Sequence, residues 1–442
     1  MSTSTTISAY QAVWLKPRPL ARSPSAFLLL PLLPPKPALK HLPSEVWSNI
    51  LEHTFALYTP DGAFVEPRAA SWRVDLLLVS KDIHAVALPL FYARVHIASV
   101  RVLERLTARL RAADQQWDSI RRIPYSAPGR WIQTLDMSGL QCRYPEDAYH
   151  LDALLNLISP LVPFLTNLVV SPQMALSRRA LSSFAERDGA SNLRVLRGVQ
   201  LKTVPQGYDD AFVELLRACT RLEELEFFGT GVDSADLLVA PHDLSSTPPH
   251  FRPLRLPFLR RLAMLSMPIS PVLRTLLHSP LPALRHLTVT PYDELSVPAS
   301  IIPRFIATHG EFLSSLYLHT VKQWPTALFP SPNNLLETCP SLHHLSLELP
   351  LPRLTLSSTS QHRLEILSVA RPSPEFLQVL EKLLPSLPRL RFVRARDVKW
   401  LRGGMSVKAR QAGVQGEMLV WKRKLGRRGI QLLDAEWKTD TD

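Results

Sequence analysis

The chain has 442 residues, a net charge of +13, 40 prolines, 15 glycines and 3 cysteines. This length suits two or three domains or one long repeat array, and scarce glycine argues against glycine-rich phosphate loops and against collagen. The cysteines (Cys142, Cys219 and Cys339) lie far apart, which argues against a disulfide framework or a cysteine zinc site and fits a reducing, intracellular setting.

In chain order, residues 1–40 are rich in Ser, Thr and Pro and read as a mobile tail. The apolar run at 26–33 is short, contains Pro31 and leads into Pro34, Pro35 and Lys36, so it is not read as a secretion signal. No run reaches the about 18 apolar residues that span a bilayer, and no membrane partner is expected. Over 44–55, Val46/Ile50 and Trp47/Leu51/Phe55 recur in steps of four, which stacks each set along a helix. A loop with Pro60, Gly62 and Pro67 follows. A second helix is expected from near Asp75, with Val79, Ile83, Val86 and Leu90 on one stripe, ending at Pro89 because proline lacks an amide donor. Residues 92–97 look extended. A third amphipathic stretch, 100–110, carries Leu103, Leu106 and Leu110.

From Trp131 a unit recurs: an apolar residue, two others, an apolar residue, one other, an apolar residue. It reads Ile132/Leu135/Met137, Leu165/Leu168/Val170, Leu222/Leu225/Phe227, Leu259/Leu262/Met264, Leu284/Leu287/Val289, Leu313/Leu316/Leu318, Leu342/Leu345/Leu347 and Leu364/Leu367/Val369. Leu390/Val393/Ala395 is weaker, and Leu193/Leu196 fails at Gly198. A strand sends the last two apolar residues of each unit to one side. Helical patterns such as 212–219 and 376–384 lie between units. One strand and one helix cannot bury their own apolar faces; stacked copies can, as a solenoid with parallel strands.

This pattern resembles leucine-rich repeats. The sites after each strand where that family carries asparagine hold Gln173, Thr230, Met267, Tyr292, Val321, Pro350 and Pro372, so the solenoid is expected to be irregular. Residues 41–97 resemble an F-box of the divergent fungal kind, through Leu42-Pro43-Ser44-Glu45-Val46, Ile50-Leu51, Leu76-Leu77-Leu78-Val79-Ser80-Lys81 and Ala87-Leu88-Pro89-Leu90-Phe91-Tyr92. It departs where Ile83 replaces a usual tryptophan and in the long loop near 53–73.

The expected fold is therefore α/β. A tail (1–40), an F-box-like helical domain (41–97), a linker helix (98–130), an irregular leucine-rich-repeat solenoid (131–398) and a basic C-terminal cap (399–442) follow one another. The resemblance implies a non-catalytic substrate receptor of a cullin–RING, SCF-type ubiquitin ligase. Leu42, Pro43, Ile50, Leu51, Leu77 and Val79 would bind a Skp-type adaptor and so join the cullin core; in the plainer reading they form a helical cap for the first repeat.

Residues between the apolar places of the strands should face a partner protein, and Glu226, Phe228, Tyr317, His319, Glu348, Arg394 and Arg396 are the candidates for an unidentified substrate. An ordinary solvated strand face accounts for the same residues. Between Lys399 and Arg428 stand nine basic residues and one acid. A terminal cap with a polar outer face explains them better than nucleic-acid contact or an import signal. No phosphate loop, zinc-protease or nucleophile-elbow motif occurs, and the His343-His344 pair reads as a strand surface. No catalytic residue, metal or cofactor is expected. The alternative is a leucine-rich scaffold with no ubiquitin role.

Overall fold

The computed structural model describes residues 42–57, 71–115, 128–141, 145–172, 174–201, 210–229, 252–265, 270–290, 301–319, 331–357, 360–400 and 413–440. The tail expected over 1–40 lies outside them, as do several of the loop positions where asparagine is replaced. The chain divides into two compact units, 1–87 and 88–442.

The first unit is helical: α1 (Ser44–Leu57), α2 (Ser71–Leu77) and the start of α3 (Lys81–Ala93). The two periodic sets of α1 separate. Leu51 and Phe55 are buried, with Trp47 partly so, whereas Val46 and Ile50 are exposed. The single helix expected from Asp75 is broken into α2 and α3. Ser80 takes the cap between them, its hydroxyl accepting from the Ile83 amide at 3.2 Å, because serine satisfies the early amides of a helix better than continued winding does. Pro89 does not end α3, which runs on to Ala93. The lost backbone bond is offset by Leu88, Phe91 and Tyr92, which pack on the core of the second unit.

The second unit holds twelve strands: β1 (Arg94–His96), β2 (Thr134–Asp136), β3 (Asn167–Val169), β4 (Val195–Gln200), β5 (Glu224–Phe228), β6 (Arg261–Leu265), β7 (His286–Val289), β8 (Ser315–Leu318), β9 (His344–Leu347), β10 (Ile366–Val369), β11 (Phe392–Ala395) and β12 (Gln431–Leu433). They form one parallel sheet in strict chain order, a solenoid-like α/β fold. The sheet begins before and ends after the range 131–398 expected for it: β1 adds Tyr92/Val95/Ile97 as a leading copy of the unit, and β12 closes the far end.

The connecting helices are α4 (Val100–Gln115), α5 (Pro128–Trp131), α6 (Pro145–Ile158), α7 (Arg178–Glu186), α8 (Ala211–Ala218), α9 (Pro271–Leu277), α10 (Ile301–His309), α11 (Leu335–Thr338), α12 (Pro374–Leu383) and α13 (Gly413–Gly426). α6 to α10 pack neighbour to neighbour in chain order, with α4 beside α6. Four of the prolines open helices: α5, α6, α9 and α12 each begin with one, where its missing amide costs nothing. Ser177, Asp210 and Ser270 cap α7, α8 and α9 by accepting from backbone amides at 2.9–3.1 Å.

The three apolar places of every strong copy are buried, and the in-register leucines Leu225, Leu262, Leu287, Leu316 and Leu345 form one ladder in a continuous core. At the failed copy the strand carries a bulge. The register shifts between Leu196 and Val199, and Val199 takes the third apolar place. Gly198 makes this possible: its φ is +79°, and a Cβ there would stand 1.9 Å from the Val170 carbonyl oxygen.

Candidate functional site

Two surfaces gather the residues singled out from the sequence, one in each unit. In the helical unit, Leu42, Val46 and Ile50 are exposed at 38%, 39% and 42%. Val46 and Ile50, four residues apart, lie along one side of α1, and Leu42 stands two residues before its start. Leu78 and Val79, in the turn after α2, are exposed at 78% and 62%, and Val74 is exposed as well. Of the six residues assigned to adaptor binding, Leu42, Pro43, Ile50 and Val79 lie at the surface and Leu77 is half-buried. Leu51 is buried and supports α1 from within, because it shares the inward face with Phe55. Large apolar side chains left exposed mark a partner or a liability, since burying each contributes about 1.5–3 kcal/mol.

In the second unit, side chains between the apolar ladders line the open face of the sheet. Register places Glu226, Ala263, Thr288, Tyr317, Ser346, Ser368 and Arg394 side by side on successive strands. The row has two halves. From β9 to β11 it is internally engaged. The Tyr317 hydroxyl meets His344 Nδ1 at 2.7 Å, and His344 Nε2 meets Ser368 Oγ at 2.9 Å. A neutral imidazole has one donor and one acceptor nitrogen, which suits two hydroxyls able to play either part. Burial, then the Arg394 charge, holds the His344 pKa down at about 4. Arg396 donates to Ser346 Oγ at 2.9 Å, the Leu318 carbonyl at 3.2 Å and Glu348 at 2.5 Å. Arg394 donates to the Ala435 carbonyl at 2.6 Å and carries the Trp437 ring at 4.2 Å. Trp437 also stands 6.1 Å from His344, so the segment after β12 folds back over this half.

From β4 to β8 the row is open and forms a groove of about 570 Å³, reaching His343 and His344 at its far end. Its floor is Ala263, Thr288 and Ser315. Glu224 receives Arg197 on one oxygen and Arg261 on the other, the latter at 3.1 Å. Glu226 also lines the groove; burial raises its pKa, Arg197 opposes that and Glu224 adds to it. Burial, then Arg261, lowers the His286 pKa, with Glu224 opposing.

Of the seven candidates for substrate contact, Glu226 and Tyr317 line this groove. Four differ from the expectation of a free strand face. Phe228 is buried, flanked in register by Gln200 and Leu265. Glu348 and Arg396 pair with each other, and Arg394 holds the C-terminal segment. His319 is exposed just past β8 and is not among the lining residues. His344, read as surface, is buried. Arg197, Glu224, Arg261 and His286 were not singled out from the sequence; Arg197 shares the place of Glu226 and Tyr317 in the unit, whereas Glu224, Arg261 and His286 stand just before the middle apolar residue, two residues earlier on the same face.

At the basic end, α13 buries Met418, Trp421 and Leu425, and Trp421 stacks on Phe376 of α12. Lys399, Lys422 and Lys424 pair with Glu436, Asp440 and Glu381 at 2.6–3.0 Å. Part of the basic charge is thus neutralised locally. Among the described residues no group of His, Cys, Asp and Glu could hold a metal ion, and no helix is long and apolar enough to cross a membrane. Comparison with protein-family models gave no match, and comparison with curated proteins gave none.

Proposed function

We propose that the chain is a non-catalytic substrate-recognition adaptor of a cullin–RING, SCF-type ubiquitin ligase. Its helical unit would act as an F-box that binds a Skp-type adaptor, and its leucine-rich repeats would hold a protein substrate. The observation that carries this reading is the apolar set Leu42, Val46, Ile50, Leu78 and Val79, exposed on a unit compact in itself. The contribution to ubiquitin transfer is proximity: held beside the conjugating machinery, a substrate reaches a high effective concentration without chemistry by this chain.

Affinity capture from a cell extract, scored for a Skp-type adaptor, tests it. Ile50→Asp and Val79→Asp are expected to abolish capture while leaving the melting temperature unchanged, whereas Leu51→Asp lowers the melting temperature because it places a charge in the interior. Failure of the wild-type chain to recover the adaptor, under conditions that recover a control F-box protein, removes the ubiquitin reading. The alternative, an interaction scaffold outside ubiquitin transfer, draws support from Ile83 standing where F-boxes carry tryptophan. It predicts partners on the strand face and no adaptor.

A further inference from the structure

The edge of the sheet where the strands begin carries features that the groove does not use. The copies on β6, β7 and β8 enter their strands through the same turn. In it the amide of the first apolar residue donates to the carbonyl three residues earlier: Leu259 to Leu256, Leu284 to Leu281 and Leu313 to Gly310, at 3.1–3.3 Å. The residue just before that apolar one therefore sits alike in each copy. On β6 and β8 it is Phe258 and Phe312, both more than half exposed, and on β7 between them it is Ala283. The two rings are rooted two strand steps apart, about 9–10 Å at ordinary spacing, with only a methyl group between them. Arg221 and Ser341 hold the same place on β5 and β9, so the aromatic pair ends there on both sides.

Charge of one sign accompanies the pair. Between Asp243 and Asp293 the chain has six arginines and no acid. Two of them, Arg260 and Arg285, occupy one place of the unit on neighbouring strands, the Arg285 amide donating to the Arg260 carbonyl at 3.0 Å. Both side chains are exposed, and Arg260 has no hydrogen-bond or ion-pair partner among the described residues. Arg285 is held by the chain itself. Its guanidinium carbon stands 5.7 Å from the Phe312 ring centre, and Nη1 donates to the Phe312 carbonyl at 3.2 Å, which leaves Nε and Nη2 for a ligand. A guanidinium already set in place loses less freedom when it takes a carboxylate. The basic stretch is short. Glu223, paired with Arg194 at 3.6 Å, bounds it toward β5, and the exposed Glu311 beside Phe312 bounds it toward β8. A nucleic-acid strand draws its affinity from a run of cations along its phosphates, whereas a few carboxylates around one bulky apolar side chain need only these two rungs.

We propose that this edge docks a short acidic segment of a partner polypeptide, with Arg260 and Arg285 taking its carboxylates and Phe258 and Phe312 flanking one bulky apolar side chain over Ala283. A side chain seated there would lie about 5 Å from either ring, within the ordinary range of aromatic contact. The surface is separate from the groove, and the inference depends on neither the helical unit nor ubiquitin.

The test uses the full-length chain and short labelled peptides, read by fluorescence anisotropy. The acidic probe carries one phenylalanine among aspartates and glutamates; one control replaces every acid by its amide, and another replaces the phenylalanine by alanine. The acidic probe is expected to bind at least about tenfold more tightly than either control, and less tightly as salt rises. Arg260→Gln combined with Arg285→Gln should erase the preference over the amide control. Phe258→Ser should reduce the preference over the alanine control. Both variants should keep the melting temperature, since the side chains lie at the surface, and each carries the test if the other proves unstable. Arg197→Gln, in the groove, should leave binding unchanged. Equal binding of the acidic and amide probes, no binding at millimolar peptide, full selectivity in either folded variant, or loss of binding in Arg197→Gln overturns the proposal. So does an oligothymidylate that binds as tightly as the acidic probe and is released by the arginine substitutions.

Discussion

His344 carries two roles that its place in the sequence does not announce. In the repeat it occupies a position that ordinarily meets solvent, yet its ring is buried between Tyr317 and Ser368, 27 and 24 residues away. Only strand register brings the three together, and register is a property of the stacked sheet rather than of any one copy of the unit. The consequence is a pH dependence. An unfolded chain protonates this histidine near 6.5, whereas the folded protein holds it neutral down to about 4. The unfolded state therefore binds more protons across that window, and stability present above about pH 6.5 is lost as pH falls through about 4. His362, buried and bonded to the Cys339 carbonyl at 3.0 Å, is lowered by burial and acts in the same sense. Urea denaturation between pH 7 and 4 should show this fall. His344→Gln should flatten it by up to about one proton in the slope, and an unchanged slope would show that His344 does not titrate on unfolding.

At the scale of elements, what could be read was whatever repeats. The spacing of apolar residues located ten of the twelve strands, because each copy answers to the same alternation and the same core. The first strand was legible as extended chain over 92–97 but not as a copy of the unit, because Tyr92/Val95/Ile97 stands apart from the leucine pattern. Gly198 was visible as a gap in its copy, but the extra residue that turns the gap into a bulge was not, since the compensating partner is the Val170 carbonyl on the neighbouring strand. Gly198→Ala is expected to destabilise the fold by roughly 1–3 kcal/mol or more, from a left-handed φ and a methyl group placed on a carbonyl oxygen. Urea midpoints with unchanged slope measure it, and a loss below about 0.5 kcal/mol would mean the bulge relaxes freely. For the groove, the unit's open places were legible in kind. Which of them stay free was not, because Arg394, Arg396 and Glu348 are satisfied by partners up to 78 residues away.

Across the whole second unit the sheet has two ends, and an uncovered strand edge invites pairing with another chain. At the far end α13 and the segment after β12 close the stack, with Trp421 buried against Phe376. Removing residues 413–442 uncovers β11 and strips the apolar face of α12. The shortened chain is expected to melt earlier and to scatter more light at equal concentration, and a truncated protein that melts and stays dispersed like the full chain would discount α13 as a cap. The same C-terminal segment also sets a direction. Trp437 stands by His344 of β9 and Arg394 of β11. Trp437 thus serves as a stop at one end: a guest chain running along the rungs toward the C-terminal strands must lift away into solvent where β8 gives way to β9.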